Sequence, residues 1–280
     1  MHSQQEKANT LLSLHKGKEL LILPNIWNPI GARILVAKGY PAIATASAAL
    51  SASLGYEDGE NIRKSTLIEF LKRIASSVDV PVTADIERGY GESLDELEDT
   101  ISQVIDAGIV GINIEDSLLE GGSLRSIAEQ CQRISTVRKI ADRHNLNLVI
   151  NARVDCFFSS SFFPDKTKVI DETVTRAKAY LEAGANSIYP IGAGGETTVR
   201  ILRDRILAPI NILASPTTAP LSILRSIGIN RVSFGPFLFR NCFKHFADIV
   251  ENISTQEDCA CFENILSGEQ VASYLLNKNE

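Results

Sequence analysis

Short apolar runs rich in β-branched residues alternate with amphipathic stretches along almost the whole chain. The runs occupy positions 20–23, 42–47, 80–86, 111–116, 148–153, 187–192, 210–214 and 231–235. Each interval between successive runs is long enough for a helix and its loops, the spacing expected of parallel strands joined by crossovers. Eight such units predict an α/β fold of the (β/α)8 TIM type, because this barrel usually takes about 250 residues.

The intervening stretches have the periodicity of helices. They span 30–38, 67–76, 94–107, 123–143, 171–183, 197–204, 221–226 and 237–250. We expect one barrel domain over residues 1–254 and an appendage of additional C-terminal helices over 255–280. A doubly wound open sheet is the alternative, but no G-x-G-x-x-G segment follows the first run, and polar residues end several runs.

The amino-acid composition argues against partners that are nucleic acids or membranes. Among 280 residues, 34 Asp and Glu outnumber 28 Lys and Arg, which gives a formal net charge of -6. This acidic balance and the lack of a basic run argue against nucleic acid as a partner. No apolar stretch is long enough to span a bilayer, and the first residues do not resemble a signal peptide. We therefore expect a cytoplasmic protein with no membrane partner.

The five cysteines are odd in number and form no C-x-x-C pair, a pattern typical of free thiols in a reducing compartment. Cys259 and Cys261 lie close together near the C-terminus. Two surface or half-buried thiols are favoured there over a metal or redox site. The four histidines are scattered without the spacing of a zinc site.

Carboxylates gather where consecutive runs end. Asp85 and Glu87 lie at the end of the third run, where the alternation of a strand predicts that they point to the same side. The fourth run ends with Glu115 and Asp116, and the fifth ends with Arg153. In a barrel the carboxyl ends of the strands form the catalytic face. Clustered acids repel one another unless a cation compensates, and Mg²⁺ binds one or two carboxylates together with substrate oxygens. The pattern predicts a divalent-cation site, with helix capping or rim salt bridges as the alternative for each acid.

Two further segments suit an anionic ligand. Arg153 can recognise a carboxylate through two hydrogen bonds, with a buried structural salt bridge as the alternative. Positions 45–51, where the second run ends, are rich in small residues. Backbone N–H groups in such a segment can approach an anion closely, although close packing of a helix on the sheet has the same requirement.

These segments resemble the isocitrate lyase and phosphoenolpyruvate mutase superfamily over about residues 21–237. The resemblance depends on several blocks in the family's order. They are LPNIWN at 23–28, ASLGYEDG at 52–59, PVTADIERGYG at 81–91, GINIED at 111–116, NAR at 151–153 and EAGA at 182–185.

The resemblance implies a barrel enzyme that forms a homo-oligomer, often a tetramer built from dimers that exchange their last barrel helix. It further implies Mg²⁺, with Mn²⁺ as a substitute, and a small 2-oxo or 2-hydroxy carboxylic acid bound at the mouth. By position, Asp85 resembles the direct metal ligand. Glu87 and Glu115 resemble the residues that hold metal-bound waters.

The resemblance also implies which residues contact the substrate. Asp58 resembles the acidic residue that borders the site, and Asp58, Glu115 and Arg153 are the implied catalytic residues. Arg153 would bind the substrate carboxylate, and backbone amides near Ser47 and Ala48 would bind the 2-oxo oxygen. The shared chemistry passes through an enolate whose charge the cation and the amides stabilise.

The chain departs from the family in the loop after the fourth run. Lyases carry Lys-Lys-Cys-Gly-His there, with Cys as the acid or base, whereas this chain has EDSLLEGGS at 115–123. The Lys of the mutases is also missing, Tyr189 replaces a mutase-like His, and Asn28 stands where relatives commonly have Asp. We expect a Mg²⁺-dependent carbon–carbon lyase, with phosphonate P–C chemistry or a non-catalytic metabolite-binding barrel as the alternatives.

Overall fold

Nine parallel strands form the inner wall of the computed structural model, which describes residues 2–118, 122–256 and 262–275. The strands are β1 (Leu21–Leu23), β2 (Asn25–Ile26), β3 (Ile43–Thr45), β4 (Val82–Asp85), β5 (Gly111–Glu115), β6 (Val149–Val154), β7 (Ser187–Pro190), β8 (Asn211–Leu213) and β9 (Arg231–Ser233). β1 and β2 occupy one barrel position, separated only by Pro24, so the eight positions correspond to the eight predicted runs.

The strand pairings continue around the whole circumference of the barrel. Strands β2 to β7 pair in chain order, and β9 pairs with both β1 and β8. A parallel bridge between Ile188 and Ile210 joins the two ladders, and the Ile188 amide donates to the Pro209 carbonyl at 2.9 Å. The predicted (β/α)8 barrel is therefore confirmed, and the doubly wound alternative is wrong.

The side chain of Asn25 forms hydrogen bonds to both neighbouring strand ends at the position where β1 ends and β2 begins. The Asn25 Oδ1 atom accepts hydrogen bonds from the amides of Phe234 and Gly235 at 2.7 and 2.9 Å. Its Nδ2 atom donates to the Thr45 carbonyl on the other side at 2.7 Å. Asn25 thus links the residues that follow β9 to β3, where Pro24 has no backbone N–H to donate.

Eleven α-helices lie among the described residues. They are α1 (Gln4–Lys16), α2 (Pro29–Ala37), α3 (Ser47–Ser53), α4 (Lys64–Ser76), α5 (Leu94–Asp106), α6 (Ile127–Arg143), α7 (Lys166–Glu182), α8 (Glu196–Arg205), α9 (Leu221–Ile227), α10 (Phe237–Gln256) and α11 (Gly268–Leu275). The helix predicted over 123–143 begins only at Ile127, because Ser126 and Glu129 form a capping box. The sequence reasoning missed α1 and α3.

Helix α1 covers the amino-terminal end of the barrel. Its Leu11 and His15 are fully buried. Leu11 packs against Gly111, where an added Cβ would come within 2.6 Å of the leucine side chain, and His15 contacts Arg231 at the start of β9. The barrel is therefore sealed at the end opposite the carboxyl ends of the strands.

The predicted C-terminal appendage includes α11, which packs on α2. Helix α10 continues to Gln256, and the division at residue 254 stays a prediction. Cys259 and Cys261 lie outside the described residues, whereas Cys131, Cys156 and Cys242 are free thiols as expected. No helix in the described part of the chain is long and apolar enough to cross a membrane.

Candidate active site

The carboxyl ends of three neighbouring strands bring Asp85, Glu115 and Arg153 together. Asp85 ends β4, Glu115 ends β5, and Arg153 lies opposite Glu115 in the register of β5 with β6. Arg153 NH1 lies 2.5 Å from Glu115 Oε2. The structure thus assembles at the barrel mouth an acidic pair and an arginine that the sequence placed on separate runs.

The two oxygens of Asp85 have different surroundings. Oδ2 accepts a hydrogen bond from the Ser47 hydroxyl at 3.0 Å. Oδ1 is buried and has no hydrogen-bond partner among the described residues. Burial raises the pKa of Asp85 to about 6, and the nearby charges of Glu115 and Asp58 act in the same direction. A buried, unpaired carboxylate oxygen is costly unless a proton or a cation completes it.

Ser47 also contacts Asp58 across the mouth. Asp58 is an exposed rim residue, and the partial removal of water around its carboxyl is the main cause of its raised pKa, to which Glu115 adds. The hydroxyl of Ser47 has one proton, so it can donate to only one of the two carboxylates at a time. Ala48 follows in the first turn of α3, where the N–H groups have no intrahelical acceptor.

Glu87 lies beyond the end of β4, and the alternation that places Asp85 and Glu87 on one face stops at Asp85. The backbone of Glu87 has φ +53°, a conformation that non-glycine residues adopt rarely and mostly at functional sites. Its Oε2 atom accepts hydrogen bonds from the amides of Gly59 and Glu60 at 2.7 and 2.6 Å. Glu87 therefore holds the loop that carries Asp58.

Tyr90 adds one hydrogen bond within its own loop and one between the two loops. The Tyr90 hydroxyl donates to Glu87 Oε1 at 3.1 Å, and the Tyr90 amide donates to Glu60 Oε1 at 2.9 Å. Burial raises the pKa of Glu87 to about 8, with further contributions from Asp58 and Asp85. Both of its oxygens are occupied by protein donors in this arrangement.

Arg153 forms the salt bridges that were the structural alternative to substrate binding. Its Nε and NH2 atoms donate to the two oxygens of Asp155 at 2.8 and 2.6 Å. Glu115 is further held by the Ser117 hydroxyl at 2.6 Å and lies 3.6 Å from Arg88. These partners orient the guanidinium at the mouth, where its terminal nitrogens each carry a second proton.

Asp116 is a strand-end acid that does not join the mouth. It is fully buried and accepts from Arg176 at 3.1 Å and from the Tyr180 hydroxyl at 2.7 Å. Its other oxygen accepts from the Asp155 amide at 2.9 Å. Asp116 is thus an anchor for α7 and for the loop after β6.

Two residues at the mouth lacked a clear sequence signal. Tyr189, noted only as a departure from the family, lies beside Arg153 in the register of β6 with β7, and its buried hydroxyl bonds to Ser233. Burial raises its pKa well above the ordinary value for tyrosine. Phe158 places its ring centroid 5.9 Å from the Arg153 guanidinium carbon.

Asn28, in place of the usual Asp, caps α2 by accepting from the Gly31 amide at 2.8 Å.

The donor chemistry of the mouth fits a hard divalent cation. Within the described ranges, no three His, Cys, Asp or Glu side chains are already gathered as a metal cluster. The partnerless oxygen of Asp85 nevertheless belongs to a group of acids in which the pKa values of Asp85 and Glu87 are raised by burial and further by the charges of neighbouring carboxylates. Oxygen ligands of this kind suit Mg²⁺ or Mn²⁺, and Mg²⁺ commonly needs only one or two of them from the protein.

The fold and the mouth define a class of protein: a (β/α)8 barrel that presents acids and an arginine at the carboxyl ends of adjacent strands. The family described as phosphoenolpyruvate phosphomutase matches residues 11–254. The chain belongs to this family. The resemblance of the sequence blocks to the isocitrate lyase and phosphoenolpyruvate mutase superfamily is thereby confirmed.

Individual relatives include several kinds of enzyme. The 2-methylisocitrate lyase of Bacillus subtilis (strain 168) is 28% identical over 222 residues, which are 77% of this chain and 69% of the relative. A "putative phosphonomutase" from Burkholderia cenocepacia J2315 is 34% identical with a TM-score of 0.85, over 89% of this chain and 99% of that one. A phosphonopyruvate hydrolase in complex with oxalate and Mg²⁺ shares the fold, with a TM-score of 0.83 at 22% identity over 96% and 94% of the two chains.

These relatives agree with the expectation of an enzyme. A carbon–carbon lyase stands among them, together with a structure assigned to the phosphonomutases. Carbon–carbon cleavage and phosphonate chemistry are also the two reactions between which the loop sequence after the fourth run did not decide.

Proposed function

We propose that the chain is a Mg²⁺-dependent carbon–carbon lyase acting on a small 2-oxo or 2-hydroxy (di)carboxylic acid. The observation that carries this proposal is the buried, partnerless Oδ1 atom of Asp85 beside the ion pair of Glu115 and Arg153. A cation at Asp85 would complete the buried oxygen, and the arginine offers a charge for a carboxylate substrate. The 2-methylisocitrate lyase relative supports the reaction class.

Three acids would hold the cation. Asp85 would bind it directly, and Glu87 and Glu115, whose oxygens already accept protein hydrogen bonds, would hold it through water. When bound, Mg²⁺ or Mn²⁺ supplies Lewis acidity toward the substrate oxygens.

Arg153 would bind the substrate carboxylate. Its pKa is raised above the ordinary value: burial acts the other way, but the charges of Asp155 and Glu115 prevail, so the guanidinium stays protonated. Asp155 fixes its orientation through two hydrogen bonds, which leaves the remaining N–H protons to point into the mouth. The amides of Ser47 and Ala48 would donate to the 2-oxo oxygen from the first turn of α3.

Asp58 is our candidate for proton transfer. For a 2-hydroxy acid, a base takes the hydroxyl proton as the C–C bond breaks, and an acid returns a proton to the carbon of the enolate fragment. Asp58 lies at the rim with a raised pKa, within reach of the Ser47 hydroxyl and at the entrance to the mouth. A raised pKa makes this carboxyl better suited than an ordinary aspartate to accept and return a proton.

The test is turnover of a panel of oxaloacetate, alkylmalates and alkylcitrates, with Mg²⁺ and after treatment with EDTA. We expect cleavage of at least one acid, loss of activity with EDTA and recovery on adding Mg²⁺. Folded protein that binds Mg²⁺ and oxalate in calorimetry but cleaves none of the panel would instead favour a metabolite-binding barrel.

Phosphonate chemistry is the second candidate, since the matching family and the 34% identical relative carry phosphomutase descriptions. A phosphonate dianion requires extra cations at the mouth. The loop at 117–123 contains no Lys or Arg, and the neighbouring Arg125 is paired with Glu92 at 2.7 Å. Including phosphonopyruvate in the panel separates the two candidates, because its exclusive turnover would overturn the lyase proposal.

The expected homo-oligomer is also part of the proposal. Helix α10 exposes large apolar side chains that a partner subunit could cover. They include Phe243 at 49%, Phe246 at 61% and Val250 at 49% exposure. Sedimentation of the purified chain tests this expectation. Cytoplasmic location stays a prediction that cell fractionation can check.

A further inference from the structure

Six polar side chains line the inside of the barrel beneath the mouth. We call them the interior polar layer: Thr83, Asn113, Asn151, Ser187, Asn211 and Arg231. None is more than 5% exposed. The interior of such a barrel is normally filled by branched apolar side chains, so this layer is a departure that requires a physical reason.

The layer lies directly below the residues of the mouth. Each of four members precedes a mouth residue by two positions in the same strand, and residues two apart point to the same face. The pairs are Thr83 with Asp85, Asn113 with Glu115, Asn151 with Arg153, and Ser187 with Tyr189.

Contacts across the barrel confirm that the side chains point inward. Asn151 Nδ2 donates to Asn113 Oδ1 at 2.8 Å. Arg231 NH2 reaches the same oxygen at 3.5 Å from β9, which does not pair with the strands of either asparagine. Asn211 Nδ2 donates to the Ser233 hydroxyl at 3.1 Å. Asn113, Asn151 and Arg231 are therefore bonded to one another, while Ser187 and Asn211 lie opposite Asn151 and Arg231 in the strand register without a bond to another member of the layer.

Arg231 is the charge within this layer. It is fully buried, and no carboxylate of the described residues pairs with it. Its NH1 atom lies 3.3 Å from His15 Nε2, while His15 Nδ1 lies 2.8 Å from the Leu11 carbonyl. Burial lowers the pKa of His15 to about 3, so the neutral ring donates to Leu11 and accepts from Arg231. A neutral acceptor does not replace a counter-ion.

Five polar atoms of the layer have no hydrogen-bond partner among the described residues. They are Thr83 Oγ1, Asn151 Oδ1, Ser187 Oγ, Asn211 Oδ1 and Arg231 Nε. Native proteins satisfy nearly all their buried polar groups, and each exception destabilises the fold. Five exceptions in one cluster are more than a marginally stable protein tolerates.

The mixture of donors and acceptors identifies what completes them. Arg231 Nε can only donate, the two asparagine oxygens can only accept, and the hydroxyls can do both. An anion would pair with the arginine but would be repelled by the asparagine oxygens. A metal cation would bind the asparagine oxygens but would be repelled by the arginine. Water donates and accepts, and buried waters typically make about three such bonds.

We propose that the interior polar layer binds a closed cluster of ordered water molecules. Helix α1 seals the cluster from solvent at the amino-terminal end, and the mouth residues cover it at the other. The waters solvate the buried charge of Arg231 in the layer beneath the mouth. This inference concerns the barrel interior and does not depend on the proposed reaction.

The test is whether removal of the Thr83 hydroxyl lowers or raises the melting temperature of the protein. Thr83→Val keeps the shape of the side chain and removes the hydroxyl. If water hydrogen-bonds the hydroxyl, the variant loses that bond and melts at a Tm lower by about 2 °C or more. If the hydroxyl is dry and unpaired, the same change removes a buried cost and leaves the Tm equal or higher.

Thr173→Val is the matched control. Thr173 is also fully buried, and its hydroxyl has a partner, the Val169 carbonyl at 2.7 Å. We expect both variants to lower the Tm. A lower Tm for Thr173→Val together with an equal or higher Tm for Thr83→Val overturns the proposal.

A crystal structure that resolves ordered solvent gives a second measurement, in case Thr83→Val fails to fold. We expect water density within hydrogen-bonding distance of Arg231 Nε, Asn151 Oδ1 and Asn211 Oδ1. Direct pairing of these atoms with one another, or a dry interior, contradicts the proposal.

Discussion

The Ser47 hydroxyl donates to Asp85 Oδ2 at 3.0 Å and so ties the first residue of α3 to the last residue of β4. The Thr45 hydroxyl, just before α3, accepts from the Asp85 amide at 3.1 Å. One short segment thus fixes both the backbone and one carboxylate oxygen of Asp85, which leaves the other oxygen, Oδ1, without a protein donor.

Asp85→Asn should separate function from stability. Loss of the carboxylate should abolish Mg²⁺ binding in calorimetry and lower kcat by about 10²–10³-fold, as expected when a group that stabilises developing charge is removed. The Tm of the metal-free variant should equal or exceed that of the wild type, because a buried charge is removed. Asp99→Asn, at an exposed pair with Lys64, is the control and should keep full activity. Unchanged Mg²⁺ affinity in Asp85→Asn would exclude Asp85 as a ligand.

The metal-free protein should lose stability as the pH rises through the range set by Glu87. Its pKa is raised from 4.5 to about 8 in the folded state, so folding favours the protonated form. The stability that this proton supplies is complete below pH 4.5 and is lost as the pH approaches about 8. In Glu87→Gln the amide oxygen can still accept from the amides of Gly59 and Glu60, and the NH2 group can donate to the Tyr90 oxygen. This variant should flatten the Tm profile across this range. An equally steep profile in the variant would contradict the assignment.

Arg153→Lys should impair substrate binding more than folding. Lysine keeps the charge but cannot donate simultaneously to both oxygens of Asp155 and to Glu115. We expect kcat/KM for a carboxylate substrate to fall about 10²-fold, equivalent to the loss of about 3 kcal/mol of charge-assisted hydrogen bonding. Arg200→Lys, at an exposed pair with Glu196, should leave steady-state kinetics unchanged. Wild-type kinetics in Arg153→Lys would show that the arginine has only a structural role.

Tyr90→Phe should loosen the loop that carries Asp58. The change removes the hydrogen bond to Glu87 Oε1 and should cost about 1 kcal/mol of unfolding free energy in denaturant titration. A lower kcat should accompany it, and the affinity for Mg²⁺ should fall far less than in Asp85→Asn, because the proposed direct ligand is left untouched and Glu87 would act only through water. Tyr56→Phe, at an exposed tyrosine, is the matched control. Equal loss in both variants would argue against the link between the two loops.

The sequence was sufficient to predict the parts of the site that follow from strand periodicity. Asp85, Glu115 and Arg153 end apolar runs, and a closed barrel necessarily brings such ends together. Glu87 was expected on the same face of the strand as Asp85, but the strand ends at Asp85, and the conformation of Glu87 depends on a left-handed backbone and on amides almost thirty residues earlier. No local pattern encodes such contacts.

Residues held by distant partners were the least predictable. Asp116 resembled its neighbour Glu115 in the sequence, yet its partner Arg176 lies 60 positions later and draws it away from the mouth. The helices α1 and α3 were missed because one is weakly amphipathic and the other is a single short segment of small residues. In both cases, tertiary packing decides the local structure.

The Asn25 side chain joins the residues after β9 to the last residue of β3, across the position where β1 ends and β2 begins. The backbone wall is continuous there, because β1 pairs with β9, β2 pairs with β3, and the chain itself connects β1 to β2 through Pro24. The three hydrogen bonds of Asn25 therefore do not close the wall. They hold the carboxyl ends of β9 and β3 in a fixed position relative to each other, so a change at this amide should shift both strand ends together.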